Sequence, residues 1–349
     1  MLVVFYISGH GFGHASRCIE LIGALTTRRP DLQIVVRTRA HPGFFDDIRG
    51  PHVDVQPLDT DTGVVQIDSL RIDEDETARR AAVFYDDFDR RVDAQAASLR
   101  QLGASLVIAD IPPLAIAAAH KASIPSIALA NFTWDWIYAY YPRFERLAQG
   151  VISTIARAYA TAGLALRLPV HGGFDSMAAV TADIPFIARR SVRHPVETRR
   201  LLGIDGRGPI VLASFGGQGL DLPYDRIARS GLTVLAPQRH SPVGLRYEDL
   251  VAAADVVVSK PGYGIVSECV ANGTALLYTS RGPFAEYDIM LAEMPRMLRC
   301  RYLAPHDLVA GRWREAIEAL LAQPPPAERP RVDGAAVAAE VILDMVPAI

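Results

Sequence analysis

The chain has 349 residues, half of them hydrophobic, and a formal net charge of -3; that length exceeds one ordinary domain and predicts two α/β domains with ample cores. The charge leaves no basic stripe for nucleic acid, and Arg189-Arg190 and Arg199-Arg200 are too short to supply one. No apolar run reaches a membrane span, Met1 to Ser8 reads as a strand and not a signal peptide, and Cys18, Cys269 and Cys300 lack disulfide or zinc-knuckle spacing, so a cytoplasmic protein with reduced thiols is expected.

Leu2 to Ile7 forms a strand that runs into Gly9-His-Gly-Phe-Gly-His-Ala-Ser-Arg17, and a helix follows with Cys18, Leu21, Ile22 and Leu25 on its apolar face. Gln33 to Arg37 is the next strand, completing a βαβ unit with a right-handed crossover. Residues 41 to 75 are less regular: a short strand lies near Val53 to Val55, and the polar stretch Asp59 to Gly63 reads as a loop over a cleft. One long helix is predicted from about Thr77 to Leu102, apolar at Ala81, Phe84, Phe88, Val92 and Leu99. Leu106 to Ala109 is a strand ending at Asp110, and Pro112-Pro113 opens the next helix, which Asp110 could equally cap. After the strand Ile124 to Ala130 comes Asn131-Phe-Thr-Trp-Asp-Trp136, continuing into a helix with Tyr138, Tyr140 and Tyr141; these aromatics suit either the floor of a sugar site or packing between domains. A helix from Val151 to Ala162 and a short strand at Leu164 to Leu166 complete this half, and Asp183 to Pro195 reads as the crossing to the second.

The second half repeats the rhythm. A short helix at Glu197 to Leu202 and a turn at Gly206 to Gly208 precede the strand Ile210 to Ala213, which ends in Ser214-Phe-Gly-Gly-Gln-Gly219. Strands at Thr233 to Leu235, Val256 to Val258 and Ala275 to Tyr278 alternate with helical stretches such as Tyr247 to Ala253. Between two of them stands Ser259-Lys-Pro-Gly-Tyr-Gly264, where a strand passes into a helix. Pro261, Gly262 and Gly264 leave backbone N–H groups uncovered at the positive end of the helix dipole, the place for a phosphate or diphosphate, and Glu268 lies within reach of a ribose diol. A Gly-rich connection without a ligand accounts for the same residues. Trp313 to Leu321 is helical, Pro324 to Pro330 breaks the chain, and a last helix, Gly334 to Met345, is expected to return to the first domain.

Two glycine-loop α/β halves with the nucleotide motif in the second are similar to the two-domain Rossmann-like glycosyltransferases of GT-B fold, over nearly the whole chain. Phe215-Gly-Gly-Gln-Gly219 together with Ser259, Gly262 and Glu268 resembles the MurG-like branch, with Ile265 where that branch carries Thr. Gly9 to His14, Asn131 to Asp135, Phe215 to Gln218 and Gly262 to Glu268 match, in order, signatures of the glycosyltransferase-like amino-terminal domain of plant L-arabinokinases. Neither a sugar-kinase half nor kinase activity is expected. Gly11 to Arg17 is also similar to a loop of the pseudaminic-acid pathway nucleotide-sugar hydrolase, whose matching His serves catalysis with water as acceptor.

The resemblance implies a GT-B architecture: residues 1–188 as acceptor domain, 189–330 as donor domain and 331–349 as the returning helix. It implies sugar transfer from a nucleotide diphosphate sugar, UDP-sugar being the expected donor, to a sugar-containing or hydroxylated acceptor, with inversion. His14 is the implied base, with His10 as competing choice and a structural backbone contact as its plainer role; Asp110 would orient the imidazole. Gly13, Gly216, Gly217, Gln218, Ser259, Gly262, Tyr263, Gly264 and Glu268 are the expected donor-binding residues, and Glu286 and Asp288 would touch the donor sugar unless they belong to a solvated loop. No cofactor and no metal are expected, helix dipoles and N–H groups replacing a cation. Neither nucleic acid nor a transmembrane segment is expected, while a peripheral membrane contact stays open. Hydrolysis or epimerisation of a nucleotide sugar, and binding without catalysis, stay open beside transfer.

Overall fold

The computed structural model describes every residue except 69, 205, 207, 217–219, 237–243, 281 and 346–349. Short β-branched runs separated by helices make parallel strands, because each return to the same sheet edge needs a crossover. Among the described residues the first sheet has seven strands: β1 (Leu2–Ile7), β2 (Gln33–Thr38), β3 (Val53–Pro57), β4 (Leu106–Asp110), β5 (Ser126–Phe132), β6 (Leu164–Gly172) and β7 (Thr181–Asp183), in the order β3-β2-β1-β4-β5-β6-β7. The second has five among them: β8 (Ile210–Ala213), β9 (Thr233–Leu235), β10 (Val256–Ser259), β11 (Ala275–Tyr278) and β12 (Cys300–Tyr302), in the order β12-β11-β10-β8-β9. Every ladder within the two sheets is parallel.

Both faces of each sheet are covered, so strand side chains alternate between two cores rather than between core and water. From β1, Val4 and Tyr6 enter one core while Val3, Phe5 and Ile7 enter the other. The last helix, Gly334–Asp344, brings Ala338, Ala339 and Ile342 into that second core, returning to the first sheet as expected.

The helix expected from Thr77 to Leu102 is two helices, Glu74–Asp86 and Phe88–Leu102, meeting at Asp87, whose φ of -104° and ψ of 17° are not helical. Asp is a weak helix former because its side chain competes for nearby polar groups, and here it binds Arg90. The periodicity survives the break because both helices bury the same face. β6 runs nine residues where a short strand was expected; it follows β5 as far as Gly172, past a register shift between Ala130 and Phe132.

Two stretches of chain pass between the halves, and they are fastened to each other. Phe186 N–H donates to Arg331 O (3.2 Å) and Gly334 N–H to Phe186 O (2.9 Å). Gly334 is required there, since a Cβ would fall 2.1 Å from the Pro185 carbonyl oxygen.

Candidate active site

Strand order reverses between β1 and β4 in the first sheet and between β8 and β10 in the second. The crevice beyond the carboxyl ends of strands at such a point is where open parallel sheets take ligands. Here the two crevices face each other: the loops after β1, β8 and β10 line one cavity of about 560 Å³.

On the amino-terminal wall, Gly11 stands at φ 75°, a conformation that lets the chain turn sharply into the helix Phe12–Arg28. His14, Arg17 and Cys18 then follow at the spacing that puts side chains on one helix face, and all three meet Asp110 at the end of β4. Asp110 Oδ1 accepts from His14 Nδ1 (2.8 Å) and Arg17 Nη2 (2.5 Å), and Oδ2 from Arg17 Nε (2.5 Å) and Cys18 Sγ (3.2 Å). Burial alone would raise this carboxyl, but the charges of Arg17 and His14 and their hydrogen bonds outweigh it and hold Asp110 down at about 2. An ionised Asp110 only accepts, so its contact with His14 calls for Nδ1–H and leaves Nε2 its lone pair, whereas Arg17 Nη2, a donor 2.9 Å from the same Nδ1, favours the other tautomer. Asp110 does not cap the following helix, whose N-cap is Pro112. Asn131 completes the frame: its Oδ1 accepts from Arg17 Nη1 (2.6 Å) while its Nδ2 donates to Pro169 O (2.7 Å).

His10 also lines the cavity, edge-on to Trp134 at 5.9 Å, and the polar loop Asp59 to Gly63 closes against it. A Cβ at Gly63 would lie 2.6 Å from His10, so the loop needs glycine at that point. Thr60 Oγ1 donates to Ile7 O (3.0 Å), and Asp61 accepts from Ser8 Oγ (3.1 Å) and Trp134 Nε1 (2.9 Å). Burial pushes Asp61 up to about 6, although His14, Ser8 and Trp134 all favour its charged form.

On the opposite wall the helix Tyr263–Asn272 begins at Gly262 with no acidic residue in its first turn. The two helix starts nearly touch: a Cβ on Gly264 would lie 3.5 Å from Gly13 Cα, and Tyr263 stacks on Phe132 at 5.8 Å. The aromatic segment thus lines the cavity and also packs one half against the other. Gly216, Gly262, Tyr263, Gly264, Glu268 and Glu286 line the cavity with Gly13 and His14. Gly217 and Gln218 lie outside the described residues. Ser259 Oγ donates to Ser214 O (2.5 Å), and Ser214 Oγ meets Tyr247 OH (2.7 Å), so these hydroxyls fasten the two loops of this wall together.

Glu268 is paired with Arg189 from the crossing segment, accepting from Nε (2.7 Å) and Nη2 (2.5 Å). Burial raises Glu268, opposed by that guanidinium, which in turn lies 4.8 Å over the Tyr247 ring. In the stretch expected to touch the donor sugar, Phe284, Ala285 and Glu286 are buried, and Phe284 and Ala285 join the core of the first half. Asp288 is exposed and does not line the cavity.

Arg17 was legible only as the last residue of a motif, Asn131 only as the first of one and Asp61 only as part of a polar cleft loop, while Arg189 carried no sequence signal of its role. Among the described residues no group of three or more His, Cys, Asp or Glu is placed to hold a metal ion, and no helix is long and apolar enough to cross a membrane.

No family model matches the chain. An L-arabinokinase of Arabidopsis thaliana is 27% identical over 373 residues, covering 98% of this chain and 34% of its own length, so the chain spans about a third of that relative. Among solved structures, the glycosyltransferase of kitacinnamycin is similar with a TM-score of 0.63 and 17% identity, covering 99% of both chains. The calicheamicin glycosyltransferase CalG4 has a TM-score of 0.62 and 18% identity, over 98% of both. UGT2 of Phytolacca americana, solved with UDP-2fluoro-glucose and pterostilbene, has a TM-score of 0.57 and 12% identity, over 99% of this chain and 93% of that one. The chain has the GT-B fold that its motifs imply.

Proposed function

We propose that this protein transfers a glycosyl group from a nucleotide diphosphate sugar, with UDP-sugar as donor, to a hydroxylated acceptor, by one inverting displacement that needs no metal. One observation carries the reading: a buried His–Asp pair and an uncapped helix start face each other across a single cavity, each from its own half. The similarity in fold to glycosyltransferases, one of them solved with UDP-2fluoro-glucose, supports it.

In this reading His14 Nε2 takes the proton of the acceptor hydroxyl as its oxygen bonds to the anomeric carbon. The bond from that carbon to the diphosphate oxygen breaks, and its electron pair leaves with the nucleoside diphosphate. The departing charge is met by the backbone N–H groups at the start of helix Tyr263–Asn272, with Lys260 on the same wall. Asp110 keeps the imidazole in the tautomer that accepts at Nε2. Gly216 leaves room for the diphosphate, Glu268 takes the ribose diol in exchange for part of its bond to Arg189, and Glu286 touches the donor sugar. Residues 1–188 carry the acceptor side and 189–330 the donor side, with 331–349 returning to the first. The setting is the cytoplasm, where buried free thiols such as Cys18 and Cys269 stay reduced.

The test is incubation with a panel of nucleotide sugars, with and without a pool of hydroxylated acceptors, followed by mass spectrometry and proton NMR of the product. Expected are acceptor-dependent release of nucleoside diphosphate and a product of inverted anomeric configuration. Free sugar released without acceptor would assign hydrolysis instead, and no turnover of any nucleotide sugar would end the enzymatic reading.

A further inference from the structure

Asp110 is the nearest counter-charge for His14, but Arg17 already neutralises it. The guanidinium binds both carboxylate oxygens at 2.5 Å, and its Nη2 also stands 2.9 Å from His14 Nδ1. When His14 takes a proton, two cations therefore share one carboxylate at a place where His14 is 5% and Arg17 6% exposed. An unbalanced charge at such a depth is strongly disfavoured unless a second carboxylate answers it.

Asp61 is placed to do so. Its hydrogen bonds come from two neutral donors, Ser8 Oγ and Trp134 Nε1, and among the described residues no Arg or Lys pairs with it. Both donors lead back to the base: Ser8 N–H donates to the Asp110 carbonyl (2.8 Å), and the Trp134 ring lies 6.4 Å from that of His14. We propose that Asp61 is a positioning residue for the proposed reaction, supplying the negative charge that stabilises the His14 imidazolium while the acceptor proton is held. The proposal rests on the reading of His14 as base. The other groups around the pair are Asp110, Arg17 and Cys18 on the His14 side, His10 against Trp134, and the phenols Tyr85, Tyr138 and Tyr159 behind Asp61. Lys260 and Glu286 line the cavity as well. Because burial pushes Asp61 up to about 6, its charge is present at neutral pH and lost just below it, which would give turnover an acid limit.

The experiment is an NMR titration of the His14 ring in the full chain, assigned with His14→Gln, in wild type, Asp61→Asn, Asp61→Glu and Ser8→Ala. In Asp61→Asn the ring should titrate lower by about half a pH unit or more, the scale of one charge acting across several ångströms of protein. Asp61→Glu should stay near wild type, and Ser8→Ala should shift the same way by less. If Asp61→Asn fails to fold, Ser8→Ala decides alone. An unchanged His14 titration in a folded variant overturns the proposal whether or not the protein turns over any nucleotide sugar. Where turnover is found, Asp61→Asn should lower kcat about tenfold or more and leave the donor KM within twofold, the pattern of a group that acts only as proton transfer develops.

Discussion

In the amino-terminal half the glycine loop after β1 delivers a cluster of ionisable side chains to the cleft, whereas in the carboxyl-terminal half the loop after β10 delivers backbone and a single lysine, Lys260. Both are a strand, a turn held open by glycine and a helix start, and they meet at Gly13 and Gly264. At the first, His14, Arg17 and Cys18 turn inward onto the carboxylate of Asp110. At the second, the first turn holds no acid, and the carboxylate further along, Glu268, is drawn to Arg189. In the proposed reading one backbone motif thus serves proton transfer at the first loop, where Asp110 gathers the side chains, and anion binding at the second.

The largest effect expected from breaking that difference is on the first loop. Arg17→Ala leaves Asp110 buried with only His14 to meet its charge, and should cost about 3–5 kcal/mol of stability by denaturant unfolding. A loss below about 1 kcal/mol would mean that Asp110 is not the buried anion described. On the second loop, Glu268→Ala should weaken binding of a nucleoside diphosphate by about 1–3 kcal/mol in calorimetry, the scale of a hydrogen bond to a charged group. Unchanged affinity would remove Glu268 from the ribose.

The two carboxylates of the first loop sharpen the comparison through pH. Asp110 is held below the usual range, so its contribution to stability is full above about pH 4 and lost as pH falls through about 2. Asp61 is raised, so its contribution is full below about pH 4 and lost as pH rises through about 6. Wild type should therefore lose about 2 kcal/mol relative to Asp61→Asn between pH 4 and pH 7, measured as paired urea unfolding curves. A constant difference across that range would show that Asp61 binds its proton equally well in the folded and unfolded chain.

Much of this was legible in the sequence because it is local. Gly9 to His14 and Ser259 to Gly264 announce strand-to-helix turns by composition, and Asp110 marks the end of an apolar run. What was not legible depends on sheet order. Ser8 meets Asp110 because β1 lies beside β4, and Asp61 meets Trp134 because the loop after β3 folds back over β1, separations that no periodicity encodes. The break at Asp87 was hidden because one apolar stripe serves both helices, and the length of β6 because Pro169 reads as a strand breaker although the alternation runs on to Gly172. Arg189 lies on the crossing between the halves, where a charged side chain in an irregular stretch reads as solvated until Glu268 is seen beside it.

The division of labour between the two loops is tested most directly by titrating UDP into wild type and His14→Ala while following turnover in the same preparations. The expected result is donor affinity within about twofold of wild type together with turnover lowered about 10²–10⁴-fold, the usual contribution of a general base. Lost UDP affinity in His14→Ala, or full turnover without the imidazole, would contradict the assignment of proton transfer to the first loop and anion binding to the second.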